Sequence, residues 1–291
     1  MRGCSLRFLD QKSRIILSIV SKKSNNTSLL EMFVFVLAFS LFLLFAMTQL
    51  SKRLFPLVQK PNPNSSEITQ REIQSLEIPI ITYHYIEIVK DQSDLIRKSL
   101  AISPADLKKE ILELKNQGYR FIFVKDIPDL LNQKPLPSGK FVALTFDDGY
   151  RDFYTDAFPV IKEASIKVTV FVISSFINYK NYMTEEQIKN ILESGLVEIG
   201  AHSMNHYDLT SANQELLQAQ IQGSKNSLEQ KFGIKVLSFA YPYGQFNDQT
   251  ASMVKKTGYT SAVSDIQGAT QSLDNIFFLS RIRVGYFFKF K

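Results

Sequence analysis

Phe141-Val142-Ala143-Leu144-Thr145-Phe146-Asp147-Asp148-Gly149-Tyr150 sets a short apolar run, entered through Pro137-Ser138-Gly139, directly against two adjacent carboxylates. Such a run reads as a buried strand with both acids at its end. Neighbouring carboxylates there repel each other and lose hydration, a cost offset by a cation or by using one of them as a base. A solvated Asp-Asp-Gly turn would read the same from this stretch alone.

The flanking sequence repeats a strand-then-helix rhythm. Upstream, Ile78 to Ile86 is β-branched and aromatic and carries His84 near its end. Ser103-Pro104-Ala105-Asp106 opens a helix with a capping serine, and a strand follows at 120–124. Downstream come a helix over 153–163, a strand over 167–173, a helix from Thr184 with Gln187 completing a capping box, and a strand over 196–199. The helix 213–231, the strand 236–240, a helix from Asn247 and the strand 259–263 continue the pattern. Strands alternating with helices predict an α/β fold with a parallel sheet, open or closed into a barrel.

The first fifty residues do not belong to that core. Met32 to Ser51 is an uncharged run long enough, as a helix, to cross a hydrocarbon layer of roughly 30 Å. Arg2, Arg7, Lys12, Arg14, Lys22 and Lys23 precede it, against Lys52, Arg53 and Lys60 after it, which keeps the N-terminus cytoplasmic. A cleaved signal peptide would need a better small-residue site than Ala46-Met47-Thr48. The expected organisation is a basic cytoplasmic N-terminus (1–31), a single transmembrane anchor (32–51), a Pro- and Asn-bearing linker (52–77) and an extracytoplasmic domain (78–291). That places the protein in the cell membrane as a single-pass protein. Residues 1–31 account for +4 of the formal +6 charge of this 291-residue chain, so the basicity reflects topology and predicts no nucleic-acid partner. Cys4 is the single cysteine, which excludes an intrachain disulfide.

Three histidines occur in the chain, and each stands at or just after a strand end. In Gly200-Ala201-His202-Ser203-Met204-Asn205-His206 the two imidazoles are four residues apart, a spacing that on a helical turn brings both to one metal ion. Two histidines and one carboxylate leave positions open for water and substrate. Phe239-Ala240-Tyr241-Pro242-Tyr243-Gly244 ends another strand in a tight turn able to aim an amide N–H at an oxyanion. Unrelated loop histidines and a plain aromatic turn are the bland readings of the two stretches.

Taken together and in this order, TFDDGY, HSMNH and AYPYG resemble the polysaccharide deacetylase family, carbohydrate esterase family 4 with its NodB homology domain, over about Ile78 to Val284. The resemblance implies a distorted (β/α) barrel and a divalent metal ion, commonly zinc, nickel or cobalt. It assigns Asp147 as catalytic base, Asp148, His202 and His206 as metal ligands, and the Tyr243 N–H as an oxyanion donor. Two departures stand out. Ser238-Phe239-Ala240 lacks the arginine that in many members orients the base, and no histidine follows His206 to act as general acid. Both features, with the early Tyr83-His84-Tyr85, are similar to the poly-β-1,6-N-acetylglucosamine N-deacetylase branch, in which the first strand supplies the acid, here His84. Arg281 and Asp265 are further candidates for orienting base or acid, although a salt bridge at a sheet end explains either equally well.

The function so implied is hydrolytic removal of N-acetyl groups from an extracytoplasmic N-acetylglucosamine polysaccharide, beside a polysaccharide synthase or exporter that the sequence does not identify. Asp147 ionised and His84 protonated predict a bell-shaped pH profile. A deacetylase of peptidoglycan, chitin or an O-acetylated glycan is the alternative. A catalytically silent carbohydrate-binding protein is a further one, against which the intact Asp147, Asp148, His202 and His206 set argues.

Overall fold

The run that opened the sequence reading is strand β6 (Lys140–Phe146) of a computed structural model that describes residues 39–40, 74–91 and 93–283. The remaining strands in chain order are β1 (Ser75–Glu77), β2 (Ile80–Tyr83), β3 (Tyr85–Ile86), β4 (Ala101–Ile102), β5 (Tyr119–Phe121), β7 (Val168–Val172), β8 (Val197–Ala201), β9 (Ser238–Ala240), β10 (Ser261–Gln267), β11 (Thr270–Ser272) and β12 (Leu279–Arg283). Parallel pairing runs β2-β12-β10-β9-β8-β7-β6 and returns from β6 to β2, which closes a seven-stranded barrel. The expected (β/α) barrel is therefore present.

Two strand assignments shift. The strand expected at 120–124 is β5, which pairs with Lys140–Val142 and leaves the ring to β2 from Ala143 onward. The seventh stave is instead β12, next to the chain's end. Short strands β1 and β11 pair antiparallel, so Ser75–Glu77, read as the end of a linker, packs with the domain. The anchor expected over 32–51 and the basic segment 1–31 lie outside the described residues except for Phe39 and Ser40, which are helical. Among the described residues no helix is long and apolar enough to cross a membrane.

Alternation along the staves sorts side chains into two cores. Val142, Leu144 and Phe146 join Ile81, Tyr83, Val170 and Ile199 on the outer face under the helices. Phe141 and Ala143 join Ile80, Phe171, Ala240, Val263 and Leu279 inside the ring. At the bottom of the interior Glu198 accepts from Thr169 Oγ1 at 2.7 Å and Ser238 Oγ at 2.6 Å, and the Lys125 N–H closes the plug at 3.2 Å. Burial pushes the Glu198 carboxyl up in spite of these bonds. One layer higher, Gly200 leaves room for the Phe171 ring: a Cβ there would stand 2.5 Å from it. The same parity continues to Asp147, His202, Asp265 and Arg281 at the top.

Helices close the outside where their caps direct them. Ser103 caps α1 (Pro104–Asn116), Thr184 and Gln187 form the expected box at α2 (Glu185–Glu193), Asn213 caps α3 (Gln214–Phe232), and Asn247 caps the helix Asp248–Lys256. The segment expected as one helix over 153–163 begins instead as a π-helical turn, Phe153–Ala157, before Phe158–Ala164 turns α-helical.

Candidate active site

β6 ends with Asp147 tied to the neighbouring stave, since its N–H donates to the Tyr83 carbonyl at 3.0 Å. His84 follows Tyr83 directly, and so the first stave sets it beside Asp147. The next peptide turns sharply. Gly149 N–H donates back to the Asp147 carbonyl at 3.0 Å while Asp148 takes φ 72°, a γ-turn of the rare positive-φ kind. This strain sends two consecutive carboxylates to different partners.

Asp147 is met by Arg281, whose Nη1 stands 2.9 and 2.8 Å from the two carboxylate oxygens. Burial alone would push the Asp147 carboxyl up. The Arg281 guanidinium, then His202 and His84, outweigh burial and hold it below the usual carboxylate range. Arg281 is itself fixed by Nε donating to the Ser264 carbonyl and Nη2 to Asp265, each at 2.8 Å. Asp147 is thus an ionised, immobilised carboxylate, suited to accept a proton. The sequence had offered Arg281 only as one option among two, and its signal was a pair of arginines, Arg281 and Arg283, alternating with Ser280 and Ile282 in a short stave.

Asp148 has a different environment. Its Oδ1 is buried and accepts no hydrogen bond, and it stands 3.5 Å from His202 Nε2 and 3.4 Å from His206 Nε2. His202 Nδ1 lies 2.8 Å from the Ala240 carbonyl, so Nδ1 carries the proton and Nε2 offers its lone pair to the same point. Burial, then His202 beside it, keeps the His206 imidazole down at about 4, and it is neutral near pH 7. One ligating atom from each residue falls within 4.8 Å of the others. Ligands at 2.0–2.1 Å from a tetrahedral ion are separated by about 3.3 Å. The orphaned oxygen and the two aimed imidazoles therefore fit a divalent cation.

The histidines reach this point by a route that differs from the helical turn expected for them. Ser203 and His206 are both left-handed, at φ 60° and 56°. Ser203 Oγ accepts from His206 N–H at 2.9 Å, while Ser224 and Gln220 of α3 hold the turn from behind. Opposite lies Pro242–Gly244, the tight turn expected, with Tyr243 at φ 58° and its ring 4.6 Å from that of His206. The Tyr243 N–H makes no hydrogen bond among the described residues. All six candidates, Asp147, Asp148, His202, His206, Tyr243 and His84, thus come from loops at one barrel face, as parallel α/β barrels arrange their sites.

Comparison with known proteins agrees with this geometry. A family model described as polysaccharide deacetylase matches residues 134–262. YxkH of Bacillus subtilis, named for the polysaccharide deacetylases, is 31% identical over 227 residues, 78% of each chain. A poly-beta-1,6-N-acetyl-D-glucosamine N-deacetylase of Staphylococcus aureus is 24% identical over 64% of this chain and 69% of its own. Among solved structures, the Streptococcus pyogenes deacetylase PplD in complex with acetate superposes with a TM-score of 0.67 at 29% identity, covering 72% of this chain and 92% of that one. IcaB from Ammonifex degensii gives a TM-score of 0.63 at 26% identity, over 72% and 91%. At this identity and coverage, with the barrel shared with the solved deacetylases, the chain belongs to the polysaccharide deacetylase family and is a hydrolase of carbon–nitrogen bonds.

Proposed function

We propose that this protein is a metal-dependent N-deacetylase acting on an extracytoplasmic N-acetylglucosamine polysaccharide of the poly-β-1,6-linked type. The observation carrying this reading is His84 on the first stave beside Asp147. No histidine follows His206, so a general acid supplied as imidazole has one source in this chain. The Staphylococcus aureus relative named for that polymer supports the substrate.

Asp148, His202 and His206 would hold the cation, for which zinc, nickel and cobalt all suit two imidazoles and a carboxylate. Bound there, the ion supplies Lewis acidity toward water and the acetamide carbonyl. Asp147 accepts the proton of the attacking water, and Arg281 holds its carboxylate in place for that transfer. The Tyr243 N–H donates to the oxyanion as the carbonyl becomes tetrahedral. His84 gives a proton to the departing amine, which leaves acetate and a glucosamine unit. The uncharged segment 32–51 anchors the chain with this domain outside the cell, beside the machinery that makes or exports the polymer.

The test is free-amine release from β-1,6-linked N-acetylglucosamine oligomers, before and after chelation and with zinc, nickel or cobalt restored. Metal-dependent release is expected. Amine release from chitin or peptidoglycan oligomers, or acetate release from O-acetylated ones, would instead keep the attack by water and move the substrate. No release from any of them would favour a silent carbohydrate-binding protein.

A further inference from the structure

Strand β10 departs from regular pairing beside the site. Val263 pairs with Leu279 but Gln267 pairs with Arg281, so Ser264, Asp265 and Ile266 bulge out of the ladder with β12. Bulges next to sites re-aim side chains. This one presents two acceptors to the same guanidinium, the Ser264 carbonyl to Arg281 Nε and Asp265 Oδ1 to Nη2. Arg281 is 2% exposed in its side chain and cannot turn to water if Asp265 is lost, whereas Asp265, 29% exposed, has Arg283 as a more distant partner at 3.6 Å.

The opposite side of Asp265 meets the turn that carries Tyr243. A Cβ on Gly244 would lie 2.3 Å from Asp265 Cβ, 2.4 Å from its Cγ and 2.7 Å from its backbone nitrogen. Gly244 is thus seated against Asp265, at a φ of +66° that itself favours glycine. The start of the turn is fixed to the same strand, since Tyr241 N–H donates to the Val263 carbonyl at 3.2 Å.

We propose that Asp265 is a positioning residue that holds the proton-accepting carboxylate and the oxyanion-binding turn in register, with Oδ1 steadying Arg281 on Asp147 and the same side chain bracing Gly244 beneath Tyr243. A simple salt bridge closing the barrel would account for the Arg281 contact but would not couple it to the turn. The inference rests on the deacetylase reading and is indifferent to which glycan is cut.

The test is a double-mutant cycle of Asp265→Ala and Gly244→Ala in the full chain in detergent, read as acetate release from whichever acetylated glycan the wild type hydrolyses. Each single variant is expected to lose roughly tenfold to a hundredfold in kcat with KM and bound metal little changed. The double variant should be no slower than the worse single one, because groups acting as a unit are non-additive. Asp265→Asn, which keeps the acceptor oxygen and the shape, should recover most of the rate. Losses that multiply in the double variant, or that appear in KM or in metal content, would overturn the proposal. Should Asp265→Ala fail to fold, Asp265→Ser takes its place in the cycle. A readout free of any substrate is the side-chain 15N resonance of Arg281 Nη2, the nitrogen that Asp265 accepts from: Gly244→Ala is expected to shift it through Asp265, and an unmoved resonance sinks the idea even where the glycan is not yet identified.

Discussion

One nitrogen of Arg281, Nη1, serves both carboxylate oxygens of Asp147, and each side chain is only 2% exposed. A buried pair of this kind becomes costly when one member is removed, because the other charge is left unpaired. Arg281→Ala should therefore destabilise the domain by about 3–5 kcal/mol in urea unfolding, and removing both charges, as in Asp147→Leu with Arg281→Met, should cost less than removing one. The folded carboxyl lies below its ordinary value, so the contribution of the pair is present at neutral pH and is lost as the pH falls through that lowered value. Arg281→Lys keeps the charge but cannot serve Asp147, the Ser264 carbonyl and Asp265 at once, and should stay well below wild-type activity.

Removal of the orphaned carboxylate should separate metal binding from folding. Asp148→Asn is expected to leave the metal-free domain no less stable than wild type, since Oδ1 is buried without a hydrogen bond. Zinc at about a hundred times its Kd should stabilise wild type by roughly 2.7 kcal/mol, and the variant far less at the same concentration. Thermal unfolding with and without added metal reads both effects, and an equal zinc response in the two proteins would move the metal site elsewhere.

The role given to His84 is tested by His84→Ala. General acid catalysis contributes about 10²- to 10⁴-fold, and a loss of kcat in that range is expected with bound metal unchanged. Amine release, with the bound metal quantified in the same samples, is the measurement. A variant within about threefold of wild type would remove His84 from the mechanism.

Away from the site, Tyr83 donates to Glu110 Oε2 at 2.8 Å, and burial pushes the Glu110 carboxyl up from 4.5 to about 7. A raised carboxyl holds its proton more tightly in the folded chain, so stability falls as the pH rises between about 4.5 and about 7 and stays lower above that. Asp152, raised to about 7 by burial and by Glu87, acts in the same direction. Glu110→Gln should flatten the decline, with urea midpoints at pH 5 and pH 8 as the measurement. An undiminished slope in the variant would locate the titrating group elsewhere.

Most of the site was legible because its pieces are local. Asp147 and Asp148, His202 and His206, and Tyr243 each sit within a few residues of a strand end, and a parallel barrel gathers those ends at one face whatever the exact register. What periodicity could not supply was the conformation after the strand. The two histidines looked like a helical pair, yet Ser203 and His206 are left-handed and the turn is held by Ser224 and Gln220 from a helix further along the chain. The closing stave was hidden for a related reason, because Leu279–Arg283 is short and its arginines break the apolar pattern that marks a buried strand.

The sequence by itself therefore determined the strand–helix alternation, the family, and the residues able to hold a cation, since these depend on residue type and spacing along the chain. Tertiary structure alone decided which of two adjacent carboxylates is clamped and which is left bare, because that depends on an arginine 134 residues away. Only closure of the barrel brings Arg281 to Asp147, and in the low-dielectric interior that proximity gives two identical side chains opposite environments.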